Sequence, residues 1–87
     1  VTPDCDCVAW SDAPLVPDLG ILASTDPVAL DQACFDLVNK APSLAAGLDG
    51  GAPDKFTARW PNTRGDVQLS YGEEIGLGSR KYKLEKI

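Results

Sequence analysis

Residues 16 to 33 read V-P-D-L-G-I-L-A-S-T-D-P-V-A-L-D-Q-A, and the centre of this stretch carries a complete helix start. Thr25 or Asp26 can accept hydrogen bonds from the free backbone N–H groups of a first turn, and Pro27 fits that turn because its missing N–H costs nothing there. The helix is therefore expected to begin at Pro27 and to run to about residue 41. Val28, Leu30, Ala33, Cys34, Leu37, Val38 and Ala41 follow the 3-and-4 spacing of one buried face, with Asp31, Gln32, Asp36, Asn39 and Lys40 supplying a polar one. Pro42 ends it. Upstream, Ile21-Leu22-Ala23 is a short apolar run entered through a bend at Pro17-Asp18, which predicts a buried strand near residues 19 to 23. The unit reads as strand-turn-helix, with Ser24-Thr25-Asp26 at the carboxyl end of the strand.

Working outward, residues 1 to 13 read as an irregular or short extended segment. Residues 43 to 53 shift to Ala, Gly and Pro and mark a surface loop. Residues 54 to 60 suit a short helix pairing Phe56 with Trp60, stopped at Pro61. Thr63 or Asp66 can cap a further helix over residues 64 to 75, with Val67, Tyr71 and Ile75 on one face beside Leu69 and Gly72. Gly76 and Gly78 end it, so Gly76-Leu77-Gly78-Ser79-Arg80 reads as a helix C-cap. A phosphate loop would need the reverse order of strand and helix. Residues 81 to 87, K-Y-K-L-E-K-I, alternate charged and apolar side chains and predict a terminal edge strand guarded by its lysines. The expected fold class is α+β: a small single domain with two main helices, a possible short one between them, and a few short strands.

The chain has 87 residues, enough for one modest core, and its 44% hydrophobic content is sufficient to fill one. Its net charge of −5 is the wrong sign for neutralising the phosphates of nucleic acid or an anionic membrane surface, so neither is an expected partner. No apolar run approaches the ~20 residues that span a bilayer, and no basic-then-apolar leader is visible at Val1-Thr2-Pro3. The odd count of three cysteines, with no secretory signal, argues for reduced thiols and a cytoplasmic location. The absent starting Met suits a piece of a longer protein.

The densest chemistry lies in Asp4-Cys5-Asp6-Cys7. In extended backbone Cys5 and Cys7 would point to one side and could chelate one metal while Asp4 and Asp6 face away; a turn could instead bring carboxylate and thiolate together. With no His and only Cys34 besides, a four-ligand site of thiolates and imidazoles cannot be completed from one copy of the chain. Small exposed or half-buried thiols are common without any such role. Cys34, on the apolar helix face, reads as a small hydrophobe.

Ser24, Thr25 and Asp26 stand where free N–H groups and the helix dipole favour an anionic group of a cofactor, and they are candidate cofactor-binding residues on that ground. Helix capping explains the same residues, and an acidic Asp26 competes with an anion. Glu73 and Glu74 are about 100° apart on a helix and do not converge as an acid–base pair. Arg64-Gly65-Asp66 is a tripeptide that recurs by chance. No catalytic residue emerges: there is no His to act as base and no nucleophile elbow.

Three blocks, D-C-D-C at 4 to 7, V-P-D-L-G-I-L-A-S-T-D-P-V-A-L-D-Q-A at 16 to 33 and Y-G-E-E-I-G-L-G-S-R-K-Y-K-L at 71 to 84, resemble the C-terminal part of the iron-sulfur-centre proteins called domain of unknown function 362. Members of that family are several times longer, and many carry an inserted ferredoxin-like segment that binds two four-iron clusters; that segment is not in this sequence. The resemblance implies a C-terminal domain of a redox or electron-transfer protein, with an iron-sulfur cluster or another metal in the intact parent and Cys5 and Cys7 as candidate ligands. Its partners would be the remainder of the parent chain or a redox partner protein. A purely structural or interaction domain is the alternative, and a share in an oxidoreductase site with the missing parent domain is a third. The isolated fragment is not expected to be an enzyme.

Overall fold

The computed structural model describes the whole chain except residues 6, 47 and 49–53. Three helices form: α1 (Pro27–Lys40), α2 (Lys55–Arg59) and α3 (Asp66–Glu74). The start of α1 follows its sequence signals. Asp26 is the N-cap, its Oδ1 accepting from the N–H groups of Val28 and Ala29 at 3.0 Å each, with Pro27 in the first turn. At the other end, buried Lys55 donates from its backbone N–H to Asn39 Oδ1 at 2.8 Å and from Nζ to the Asn39 carbonyl. An ammonium group there complements the negative end of the helix dipole.

The core is small. Val16, Val28, Ala29, Ala33, Leu48 and Leu69 are buried, and α1 packs on α3. Gly72 permits that approach, since a Cβ at this position would lie 3.0 Å from Val28 Cγ2. Beside it, Phe35 of α1 stacks on Phe56 of α2 with ring centroids 5.1 Å apart. Phe56 thus reaches across to α1, and Trp60 lies exposed with its ring under the Arg59 guanidinium.

Helix α3 departs from expectation at its start and on its face. Its N-cap is Gly65, with no side-chain cap; Thr63 Oγ1 donates instead to the Trp60 carbonyl, and Asp66 is held by Arg64 through two contacts of 3.1 Å. Leu69 and Gly72 are buried whereas Val67, Tyr71 and Ile75 are exposed, because the close contact with α1 selects the small-residue stripe. Its end is as expected. Gly76 adopts φ +79°, Gly76 N–H donates to the Glu73 carbonyl at 3.1 Å, and Leu77 N–H donates to the Gly72 carbonyl at 2.9 Å. This is the paired C-terminal cap that glycine makes without steric cost.

The α+β expectation is overturned. No strand forms among the described residues, and the fold is helical. Residues 19–23 and 81–87, both expected to be strands, are irregular, and Ile21 and Ile87 are fully exposed. Strand composition is not enough: a strand exists only by exchanging backbone hydrogen bonds with a neighbour, and neither stretch finds one among the described residues. Much of the loop expected at 43–53 lies outside the described residues; Leu48 within it is buried.

Candidate functional site

The segment bearing Cys5 and Cys7 is anchored at its base. Trp60 Nε1–H donates to the Pro3 carbonyl at 3.3 Å, and Arg59 pairs with Asp12 at 2.9 Å, so the end of α2 holds both sides of the loop. Asp12 N–H donates to Asp4 Oδ2 at 3.1 Å, which bridges the loop internally. Between these struts a turn closes where Val8 N–H donates to the Cys5 carbonyl at 3.1 Å. Within it, Cys7 N–H donates to Cys5 Sγ at 3.3 Å.

The turn, not an extended run, therefore brings the two sulfur-bearing side chains together, and both are exposed. Asp4 is occupied as a brace, and Asp6 lies outside the described residues. The neighbouring Cys5 side chain holds the Cys7 thiol above its ordinary value, and loss of hydration pushes the same way. A thiol held protonated is a poorer nucleophile, which lowers the reactivity of Cys7. A thiophilic metal ion, which displaces thiol protons on binding, can still use both sulfurs.

Two sulfurs do not make a complete site. Among the described residues no three His, Cys, Asp or Glu side chains converge for a metal ion. Cys34 is half-buried on α1 and lines a different groove, of about 430 Å³, with Leu19, Ile21, Leu22 and Leu37. The donors present therefore do not fit a four-thiolate iron–sulfur cluster from this chain alone.

Ser24, Thr25 and Asp26 are brought together at the start of α1, where Asp26 N–H donates to Ser24 Oγ at 3.0 Å. Besides accepting from Val28 and Ala29, the Asp26 carboxylate accepts from Ser79 N–H at 3.0 Å through its other oxygen. These backbone donors, led by Ala29 and then Ser79, hold Asp26 below the usual carboxylate value. The N–H groups that a bound anion would use are already donated to Asp26.

The tail after α3 then follows α1. Arg80 Nε donates to Gln32 Oε1 at 2.8 Å, Gln32 Nε2 donates to Asp36 Oδ1 at 2.9 Å, and Tyr82 OH donates to Asp36 Oδ2 at 2.6 Å. Arg80 N–H is held by Glu73 Oε2 at 2.7 Å. Gln32, expected on the polar face, is buried under this network, and the sequence holds no local signal of it because Arg80 is 48 residues away.

Residues 1–36, which hold the thiol turn and most of α1, match the model of the family described as domain of unknown function (DUF362). Over that stretch the chain is similar to the DUF362 family. No curated protein and no solved structure matches it. The match covers the D-C-D-C tetrad and the helix start, so it is the N-terminal part of the chain that the family model spans. No helix is long and apolar enough to cross a membrane among the described residues.

Proposed function

We propose that this chain is a domain of an iron–sulfur-associated, redox-linked cytoplasmic protein, and that Cys5 and Cys7 supply two thiolates to a metal site whose other ligands come from elsewhere in the parent. The observation that carries this reading is the turn that places both cysteines side by side at the exposed tip of a braced loop. Soft thiolates select zinc, copper(I) or iron–sulfur centres over hard cations. No redox step is assigned to the chain itself.

The test is a titration of the reduced chain with Cd(II) under anaerobic conditions, read by thiolate-to-metal charge-transfer absorption. Absorption that saturates at one Cd(II) per chain, persists in Cys34→Ser and vanishes in Cys5→Ser/Cys7→Ser is expected. Absorption unchanged by the double substitution, or lost in Cys34→Ser, would sink the reading. In the intact parent, metal and acid-labile sulfide should fall with the same double substitution.

A second reading, an interaction module that docks on the remainder of the parent, is favoured by the apolar surface. Trp10 is 71% exposed, Val67, Tyr71 and Ile75 line an open side of α3, and Ile21 and Ile87 are bare. Co-expression with the remainder of the parent tests it, since a docking module co-purifies with that remainder and a self-sufficient one does not.

A further inference from the structure

The two stretches that fail to become strands both line one groove. Ile21 to Ser24 form one wall, Tyr82 to Glu85 with Ile87 form the other, and Ala29, Leu30 and Ala33 of α1 make the floor; the groove holds about 380 Å³. Among the described residues, no backbone hydrogen bond is made by residues 17–23 or 82–87. Both walls are nonetheless positioned. Ser79, Arg80 and Tyr82 tie the tail to Asp26, Gln32 and Asp36 along α1, and Ser24 is tied to Asp26 at the base of the other wall.

An apolar floor between two unpaired backbones fits one kind of occupant well. A single inserted strand would satisfy an edge on each side, at ~4.8 Å per neighbour, and place alternate side chains on α1. The charge of the tail that supplies one wall narrows its chemistry, Lys83 and Glu85 being the charged residues of the lining itself. In a chain of net charge −5, four of the 8 basic residues, Arg80, Lys81, Lys83 and Lys86, stand in the tail beside one acid, Glu85. Lys83 pairs with Glu85 only at 3.5 Å on an exposed surface, and Lys81 and Lys86 form no ion pair among the described residues. A second copy offering its own tail would set lysine against lysine.

Resting on the docking reading above, we infer that this groove receives an extended strand from another polypeptide region, with apolar residues alternating with carboxylates. The apolar residues lie on Ala29, Leu30 and Ala33, and the carboxylates meet the lysine-bearing wall. The strand converts both walls into a sheet over α1, which restores the strand character written into residues 19–23 and 81–87.

The test uses the whole chain and an eight-residue peptide alternating Val with Glu, monitored by backbone amide shifts and hydrogen exchange. The amides of residues 21–24 and 82–87 should shift and exchange more slowly as peptide is added. Affinity should fall about tenfold or more when Lys replaces Glu in the peptide, and by a similar factor in Leu84→Asp. The inference is overturned if those amides do not move, if the Lys peptide binds as well as the Glu peptide, or if Leu84→Asp binds unchanged. It is also overturned if the same amides are already slow in the free chain, or become so only with rising protein concentration, since the walls then pair with each other or with a second copy. A chain that co-purifies with the remainder of its parent yet ignores the peptide refutes the groove while leaving the docking reading intact.

Discussion

The tail over α1 and the loop carrying Cys5 and Cys7 are both irregular, yet they are held in opposite ways. From Gly76 to Tyr82 the tail is tied repeatedly to helices: by a glycine cap on α3, then to Asp26, Gln32 and Asp36 at the start of and along α1. Among the described residues the thiol loop is tied at its base, by Trp60 to Pro3 and Arg59 to Asp12, and its two cysteines are exposed. The first arrangement spends its polar groups on holding the fold. The second leaves two sulfur side chains at the surface. Stability should therefore be lost at the tail and ligand binding at the loop, and substitutions can separate the two.

The largest effect is expected at Gly78. A Cβ there would sit 2.0 Å from Asp26 Oδ1 and 3.0 Å from Val28 Cβ, so Gly78→Ala must displace the carboxylate that caps α1. We expect its thermal midpoint to fall by about 5–10 °C, with Asp26→Ala falling comparably. Because both act through one carboxylate, the double variant should lose little more than either single one. Strict additivity would show that Gly78 matters for another reason.

Acid should reach the same place from outside. Asp26 accepts three N–H groups and Asp66 is held by the Arg64 guanidinium, and both carboxyl groups are lowered from their ordinary values. The unfolded chain then takes up protons first as pH falls. Their stabilisation is complete above the ordinary carboxylate value of ~3.9 and is lost as pH drops through the lower folded-state values. Thermal midpoints recorded from neutral pH downward should decline in that acid window, and Asp26→Asn should start lower and decline less steeply. A variant with the full acid slope would remove Asp26 from the account.

How much of this was legible in the sequence depended on how local the cause was. The start of α1 is written in three adjacent residues, Ser24 to Asp26, followed by Pro27, and the end of α3 in Gly76. The burial of Gln32 and Lys55 is not, because their partners Arg80 and Asn39 stand 48 and 16 residues away in sequence. The packing face of α3 was misread because it carries two candidate stripes, and only contact with Val28 decides for Gly72 over Tyr71. The strands at 19–23 and 81–87 were read from composition alone, which records a preference for pairing but not whether a neighbour exists. For the thiols, the sequence showed which cysteines could cooperate; the turn that joins them is closed by bonds from Val8 N–H to the Cys5 carbonyl and from Cys7 N–H to Cys5 Sγ.

A smaller loss is expected where the tail leaves α1. Tyr82 is partly exposed and donates one hydrogen bond to Asp36, so Tyr82→Phe should lower the thermal midpoint by about 2–3 °C. That bond, followed by desolvation, raises the phenol above its ordinary value. The sign is opposite to the carboxylates: its contribution is present below the ordinary tyrosine value of ~10 and is lost as pH rises through the folded-state value. Alkaline melting curves of wild type and Tyr82→Phe should therefore converge. Curves that stay parallel would mean that the hydroxyl contributes nothing to holding the tail.

The smallest effect on the fold is expected at the loop tip, and it is the one that makes the contrast decisive. Cys5 and Cys7 are exposed, and beside the Cys7 N–H bond to Cys5 Sγ the turn is placed by bonds through backbone atoms and through Pro3, Asp4 and Asp12. Cys5→Ser/Cys7→Ser should melt within about 2 °C of wild type, as surface substitutions outside any packed or capping feature do. Its chemistry should nevertheless change. A thiol reagent on the folded wild type should modify the two tip cysteines ahead of half-buried Cys34, and the rate at Cys7 should climb only at pH above that of an ordinary thiol, because Cys5 holds it protonated. Replacing Cys5 alone removes that neighbour, so Cys7 should react faster at neutral pH in Cys5→Ser than in wild type. If the double variant melts many degrees lower, the tip is part of the fold; if Cys7 is no faster without Cys5, the two sulfurs are not in contact and the two-thiolate site loses its basis.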